Sequence, residues 1–158
     1  MAAIYQADVW CDQCAELIRA EIRAEGNAPE DESDERSFDS DEFPKWASDD
    51  DESDSPQHCA AGDECENAED VPGFGKVGQL LGQLTSDGVQ YVIDQYRADP
   101  LNALAQRWLE FYCVELPEPP ACPMCDGEPV AMGQLGQLYW YRCRDCGAQY
   151  SEPAHAPA

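Results

Sequence analysis

Cys122-Pro-Met-Cys125 and Cys143-Arg-Asp-Cys146 stand 17 residues apart near the end of the chain. Each Cys-x-x-Cys turn can offer two thiolates to one ion, and two such turns at this separation match a four-cysteine tetrahedral zinc site. The residues between them suit a hairpin. Pro129-Val-Ala-Met132 and Leu138-Tyr-Trp-Tyr-Arg142 read as strands joined across Gly133-Gln-Leu-Gly-Gln137, and Gly147 follows the last ligand, where a turn needs positive φ. The spacing predicts a β zinc ribbon over residues 118–152, with 153–158 as a tail. Four thiolates close the coordination sphere and leave no position for metal-bound water, so this zinc reads as structural rather than catalytic.

Five further cysteines lie outside the ribbon, and the total of nine cannot be paired completely as disulfides within one chain. The chain opens without a basic n-region and apolar h-region, and no stretch approaches the ~18 apolar residues of a membrane span, so a cytoplasmic protein is expected. In a reducing compartment metal binding accounts for the cysteines better than disulfides. Cys11, Cys14, Cys59 and Cys65 form a second candidate ligand set, with His58 as the alternative ligand, and Cys113 remains as a buried small hydrophobe. Closing this set spans the 44 residues between Cys14 and Cys59, a length that costs only logarithmically in entropy. Two structural Zn²⁺ ions are expected. Trp10-Cys11-Asp-Gln-Cys14 also has the form of a thioredoxin-like redox motif, but only nine residues precede Trp10 and no β-rich segment is apparent around it.

The 158 residues include 33 acidic and nine basic ones, for a formal charge of −24. Such a chain attracts basic surfaces and is repelled by phosphate backbones and anionic membranes. Thirteen of the carboxylates fall in residues 30–54, interrupted by Phe38, Phe43 and Trp46. This composition predicts a disordered acidic loop over 30–55, serving as a solvated linker or as an anchor for a basic partner. Asp49-Asp-Asp-Glu-Ser-Asp54 lacks the glycine and closing glutamate of an EF-hand loop.

Helical patterning appears in four places. Residues 15–25 put Leu17, Ile18 and Ile22 on one side, with Gly26 and Pro29 positioned to end the helix. Val77, Leu80, Leu81 and Leu84 have helical spacing weakened by Gly78 and Gly82. Val89, Val92, Ile93 and Tyr96 form a third stripe, capped by Thr85 or Ser86 and stopped before Asp99-Pro100. Asp99 as N-cap and Pro100 at the first position open a fourth, lined by Leu101, Leu104, Trp108 and Phe111. The expected class is α+β built from small zinc-stabilised modules: an N-terminal zinc-binding module (1–70), a helical segment (71–117) and the ribbon (118–152).

With Cys122-Pro-Met-Cys-Asp-Gly-Glu-Pro-Val130 and Tyr139-Trp-Tyr-Arg-Cys-Arg-Asp-Cys-Gly147, the ribbon resembles the Lar restriction-alleviation family of phages and prophages over about 35 residues. Members typically read Cys-Pro-Phe-Cys-Gly-Gly at the first knuckle, so Met124 and Asp126 depart from the pattern. The resemblance implies zinc ligation by Cys122, Cys125, Cys143 and Cys146. The rest resembles small Cys-rich phage and bacterial proteins, through an early Cys-x-x-Cys and segments such as Asp54-Ser-Pro-Gln-His-Cys59. The expected function is a non-enzymatic interaction protein of phage type that engages a basic protein surface, such as a host restriction enzyme or another DNA-handling complex. The alternative is a nucleic-acid-binding or transcription-associated ribbon using Tyr139, Trp140, Tyr141, Arg142 and Arg144. Asp126, Glu128, Asp145 and Glu152 weigh against it, and the aromatic rings are expected to pack against the helices.

Overall fold

Strands β1 (Ala2–Tyr5) and β2 (Asp8–Cys11) pair antiparallel across a two-residue turn in which Gln6 and Ala7 hold φ of 52° and 65°. Such turns favour Asn and Gly, so this sequence does not announce a hairpin. The turn is held instead by a tertiary bond, from the Gln6 N–H to the Ser40 carbonyl at 3.1 Å. In the computed structural model the described residues are 2–48, 51–116, 118–136 and 138–153, and they form two compact units divided between residues 89 and 90. Residues 71–89 thus belong with the N-terminal cysteines, whereas the expected boundaries were at 70 and 117.

In the first unit, helix α1 (Asp12–Glu25) follows β2 directly and ends at Gly26, whose φ of 77° lets its N–H and that of Asn27 bond back to the carbonyls of Arg23 and Ile22. Its buried side consists of Cys14, Ala15 and Arg19, while Leu17 is 59% exposed. Of the expected stripe Ile18 and Ile22 are half-buried, and Arg19 rather than Leu17 joins the covered side because its guanidinium stacks 4.7 Å from the centre of the Phe43 ring and 5.1 Å from that of Trp46, and bonds Glu32 at 3.1 Å.

The acidic run departs from the expected disordered loop. Residues 30–48 fold back over α1, Phe38 meets Phe43 edge-on at 5.4 Å, and Phe43 is fully buried. Strand β3 (Lys45–Trp46) pairs with β1 to give the sheet order β2-β1-β3. The carboxylates organise the chain instead of only repelling one another. Asp31, Asp34 and Asp39 each accept an N–H two residues on, from Ser33, Arg36 and Asp41. Burying one phenylalanine, on the order of 2–3 kcal/mol, rivals what several exposed charges oppose. Residues 49 and 50 lie outside the described set.

The chain then runs through short ladders. β4 (Glu52–Ser53) pairs parallel with β9 (Gln83–Leu84), β5 (Gln57–His58) pairs antiparallel with β8 (Leu80–Leu81), and β6 (Glu69–Val71) pairs with β7 (Gly75–Val77). The helix expected over 77–84 is therefore absent. Gly82 takes a left-handed φ of 69° and a side chain at Gly78 would run into the Cys59 carbonyl, so one glycine serves a turn and the other a close backbone approach, neither of them helical.

Helix α2 (Ser86–Ala98) starts where expected, with Thr85 Oγ1 accepting the Gly88 N–H at 3.1 Å, and buries Val92 and Ile93. Helix α3 (Ala103–Phe111) starts later than expected. Asn102 is its N-cap, accepting from Leu104 and Ala105, while Asp99 closes a separate turn with the Leu101 N–H. Leu101 is left outside the helix and 88% exposed. Cys113 is exposed with φ of 51°, a correction to its expected burial, because the chain has already left helical geometry there.

The second unit ends in a three-stranded antiparallel sheet of order β10-β11-β12, comprising β10 (Pro129–Leu135), β11 (Leu138–Cys143) and β12 (Gln149–Pro153). The third strand was not expected from the sequence, and most of the expected tail, residues 154–158, lies outside the described set. Tyr139 and Tyr141 are buried on one face. Tyr139 Oη donates to Asp94 of α2 at 2.6 Å with Arg97 over its ring at 4.8 Å, and Tyr141 stacks on Tyr150 and donates to Glu152 at 2.6 Å.

Candidate metal centres

Cys11 ends β2, Cys14 lies in the first turn of α1, Cys59 follows β5, and Cys65 follows a 3₁₀ turn (Gly62–Glu64). All four are buried, and their sulfurs lie within 4.8 Å of one another. The loop bearing Cys59 is fixed on both sides: Ala60 N–H bonds the Val9 carbonyl and Cys59 N–H the Gln79 carbonyl, each at 2.8 Å. These bonds bring the later pair of cysteines against the hairpin and helix that carry the earlier pair.

The sulfur spacing tests the fit to a metal. A tetrahedron with metal–sulfur bonds of about 2.3 Å has edges of about 3.8 Å, whereas a disulfide would need about 2.05 Å. Cys11 Sγ and Cys65 Sγ are 3.8 Å apart. Donors also point at the sulfurs: Cys11 N–H to Cys59 Sγ at 3.3 Å, and the N–H groups of Gln79 and Asn67 to Cys65. Burial pushes the thiols of Cys11 and Cys14 up, while at Cys65 the Gln79 and Asn67 N–H groups outweigh burial and bring the thiol down. Four thiols so close cannot all ionise without a cation among them. His58 is not among the four: its Nδ1 donates to the Gly78 carbonyl at 2.9 Å.

The ribbon brings together Cys122, Cys125, Cys143 and Cys146. Its two knuckles repeat one geometry. Asp126 N–H bonds the Cys122 carbonyl at 2.8 Å and Gly147 N–H the Cys143 carbonyl at 3.0 Å, with φ of 57° and 73°. Asp126 thus adopts the left-handed conformation that Gly147 reaches without a side chain. Cross-knuckle sulfur distances are 3.6 Å for Cys122–Cys146 and 3.5 Å for Cys125–Cys143. Met124 N–H meets Cys122 Sγ and Cys146 N–H meets Cys143 Sγ, each at 3.5 Å. The N–H groups of Cys146 and Asp145 bring the Cys143 thiol down to about 7. At Cys125 the Gly127 N–H is outweighed by the thiols of Cys146 and Cys143, which push it up to about 12. Cys122 and Cys143 are buried and Cys125 and Cys146 exposed, so this site is open to solvent on one side. Arg144 grips Glu128 across the knuckles at 3.0 Å.

All eight cysteines singled out in the sequence are thus gathered into two four-sulfur groups, and among the described residues no other group of His, Cys, Asp or Glu has metal-binding spacing. Sequence reasoning missed the surface formed by the folded acidic run. There a cavity of about 720 Å³ is lined by Glu30, Asp31 and Glu42 together with Phe38 and Phe43. The signal for it was the spacing of aromatics among the acids.

No protein-family model, curated protein or solved structure matches this chain. Among the described residues no helix is long and apolar enough to cross a membrane.

Proposed function

We propose that this chain is a non-enzymatic interaction protein of phage or prophage type, folded around two structural Zn²⁺ ions, whose acidic N-terminal unit engages a basic surface of a host DNA-handling complex such as a restriction–modification enzyme. The carrying observation is the asymmetry of charge. Residues 1–89 hold 24 carboxylates against five basic residues, and residues 90–158 hold nine against four. Soft, tetrahedral, all-thiolate sites favour zinc, and each would add a net charge of −2. The acidic cavity at 27–43 offers a place for a lysine or arginine side chain, and the ribbon's likeness to the restriction-alleviation family supports the choice of target.

A nucleic-acid-binding ribbon is less well supported. Tyr139 and Tyr141 are buried and Arg144 is engaged by Glu128, leaving Trp140 and Arg142 from the expected surface. A dithiol oxidoreductase is supported less still, since Cys11 is 1% exposed and shares its cluster with three other thiols. Native mass spectrometry with metal analysis is expected to show two zinc ions per chain. Salt-sensitive binding to a purified restriction enzyme, with relief of restriction of incoming DNA in cells, is the expected functional result. Binding to labelled nucleic acid at low salt, with no effect on restriction, would overturn the reading.

A further inference from the structure

The ribbon sheet buries one face and leaves the other open. Tyr139 and Tyr141 occupy the face that meets Asp94 and Arg97, and Trp140, between them in β11, takes the opposite one. There a shallow cavity of about 340 Å³ is lined by Met132, Gly133, Gln134, Leu135, Trp140 and Gln149. The indole Nε1 of Trp140 is buried without a hydrogen-bond partner, while Met132 and Leu135 are 55% and 73% exposed. An orphaned donor of this kind is an uncompensated loss of hydration, which an incoming oxygen acceptor would relieve.

Beside the cavity runs β10, an outer strand paired with β11 on one side and, among the described residues, with no strand on the other. Its residues Pro129-Val-Ala-Met-Gly-Gln-Leu135 carry no charge, in a chain of 33 acidic residues. Edges are ordinarily guarded by charged side chains, prolines or bulges, and β10 has only its first residue and a register shift at Met132. Gly133 lies opposite Trp140 in register and has no side chain to set against the indole.

We infer that the β10 edge and the Trp140 cavity receive an extended segment of a partner protein, apolar at alternate positions and flanked by lysine or arginine. The segment adds a strand to the sheet and places an oxygen on Trp140 Nε1. Its flanking charge follows from the unit's own balance, nine carboxylates against four basic residues in 90–158 with Asp126 and Glu128 directly before β10, which also disfavours a second copy of this chain as the occupant. The site is separate in sequence and chemistry from the acidic cavity at 27–43.

The test uses the full metal-loaded chain and a pool of synthetic lysine-flanked peptides whose alternating positions vary among Val, Ile, Leu and Thr, read by amide hydrogen exchange. Added protection is expected at 129–135. Met132→Lys and Leu135→Lys are expected to abolish it with metal content and circular dichroism unchanged, and Trp140→Phe, which keeps the ring and removes the donor, to weaken binding several-fold. Absence of protection at 129–135 with every peptide, or binding that survives both lysine variants, would overturn the proposal. Protection confined to 27–43 would overturn it while leaving the acidic-surface reading standing. A dimer dissolved by Met132→Lys, or oligothymidine binding lost in Trp140→Ala, would assign the face to a second copy or to nucleic acid and overturn it as well.

Discussion

The two four-cysteine groups are chemically alike and differ in how the chain reaches them. In the ribbon each pair of ligands lies on a self-contained knuckle, and 17 residues of hairpin join them. In the N-terminal unit the pairs are 44 residues apart, and the intervening chain has to fold over α1 before Cys59 and Cys65 can approach Cys11 and Cys14. One site is organised locally, the other by tertiary contacts. The difference extends to exposure, since all four N-terminal sulfurs are buried whereas Cys125 and Cys146 face solvent. A short loop makes a site simple to form and to open, and a long one makes it dependent on the whole unit.

Metal removal should break both sites but in sequence. Structural zinc contributes on the order of 10 kcal/mol or more, and in the first unit a buried apolar cluster is itself built around the four cysteines with Leu81. On addition of a chelator, alkylation followed by mass spectrometry is expected to label Cys125 and Cys146 first and Cys11, Cys14, Cys59 and Cys65 later, with loss of helical ellipticity accompanying the second phase. Simultaneous labelling would remove the distinction between the sites. Cys59→Ser should sharpen it: one metal ion per chain is expected to remain, with hydrogen-exchange protection lost across 2–48 and retained at 129–143.

The next effect in size concerns the fold-back of the acidic run. Arg19→Ala removes two ring contacts and the bond to Glu32, and is expected to cost about 2–3 kcal/mol in urea denaturation followed by tryptophan fluorescence. Arg19→Lys should recover only part, since an ammonium cannot stack as the planar guanidinium does. An Arg19→Ala protein as stable as the parent would return residues 30–48 to the status of a solvated linker.

The smallest expected effect is the ribbon's response to alkali. Burial and the Glu152 carboxylate push the Tyr141 hydroxyl up from 10 to about 12. The folded state therefore holds this proton to higher pH than the unfolded chain. The associated stability is complete below pH 10 and is lost as pH rises toward 12. Ultraviolet titration should show Tyr141, assigned by comparison with Tyr141→Phe, ionising later than exposed tyrosines. Ionisation near pH 10 in the folded protein would contradict the buried hydroxyl.

The candidate sites were more legible in the sequence than the fold around them. Cysteine spacing is a strong signal because a knuckle needs only a few residues and the metal fixes the number of ligands. The stripe of Val77, Leu80, Leu81 and Leu84 misled because period alone does not separate short buried strands from a helix, and Gly78 and Gly82 were the better guide. The N-terminal hairpin was hidden because Gln6 and Ala7 are held in their turn by Ser40, a residue far along the chain. The acidic run looked disordered by composition, which averages over residues and cannot register that Phe43 and Arg19 meet.

The sequence by itself determined which eight sulfurs serve as ligand candidates, how they divide into two groups, where α2 begins, and that negative charge gathers in residues 30–54. These features depend on residue type and short separations. Only the tertiary structure decided that Arg19 rather than Leu17 is buried, that His58 turns to Gly78, that a third strand completes the ribbon, and that of its two alternating faces the tyrosine one is covered and the Trp140 one left open. Periodicity states which side chains share a face, but which face is covered depends on distant segments, and their arrival is set by packing.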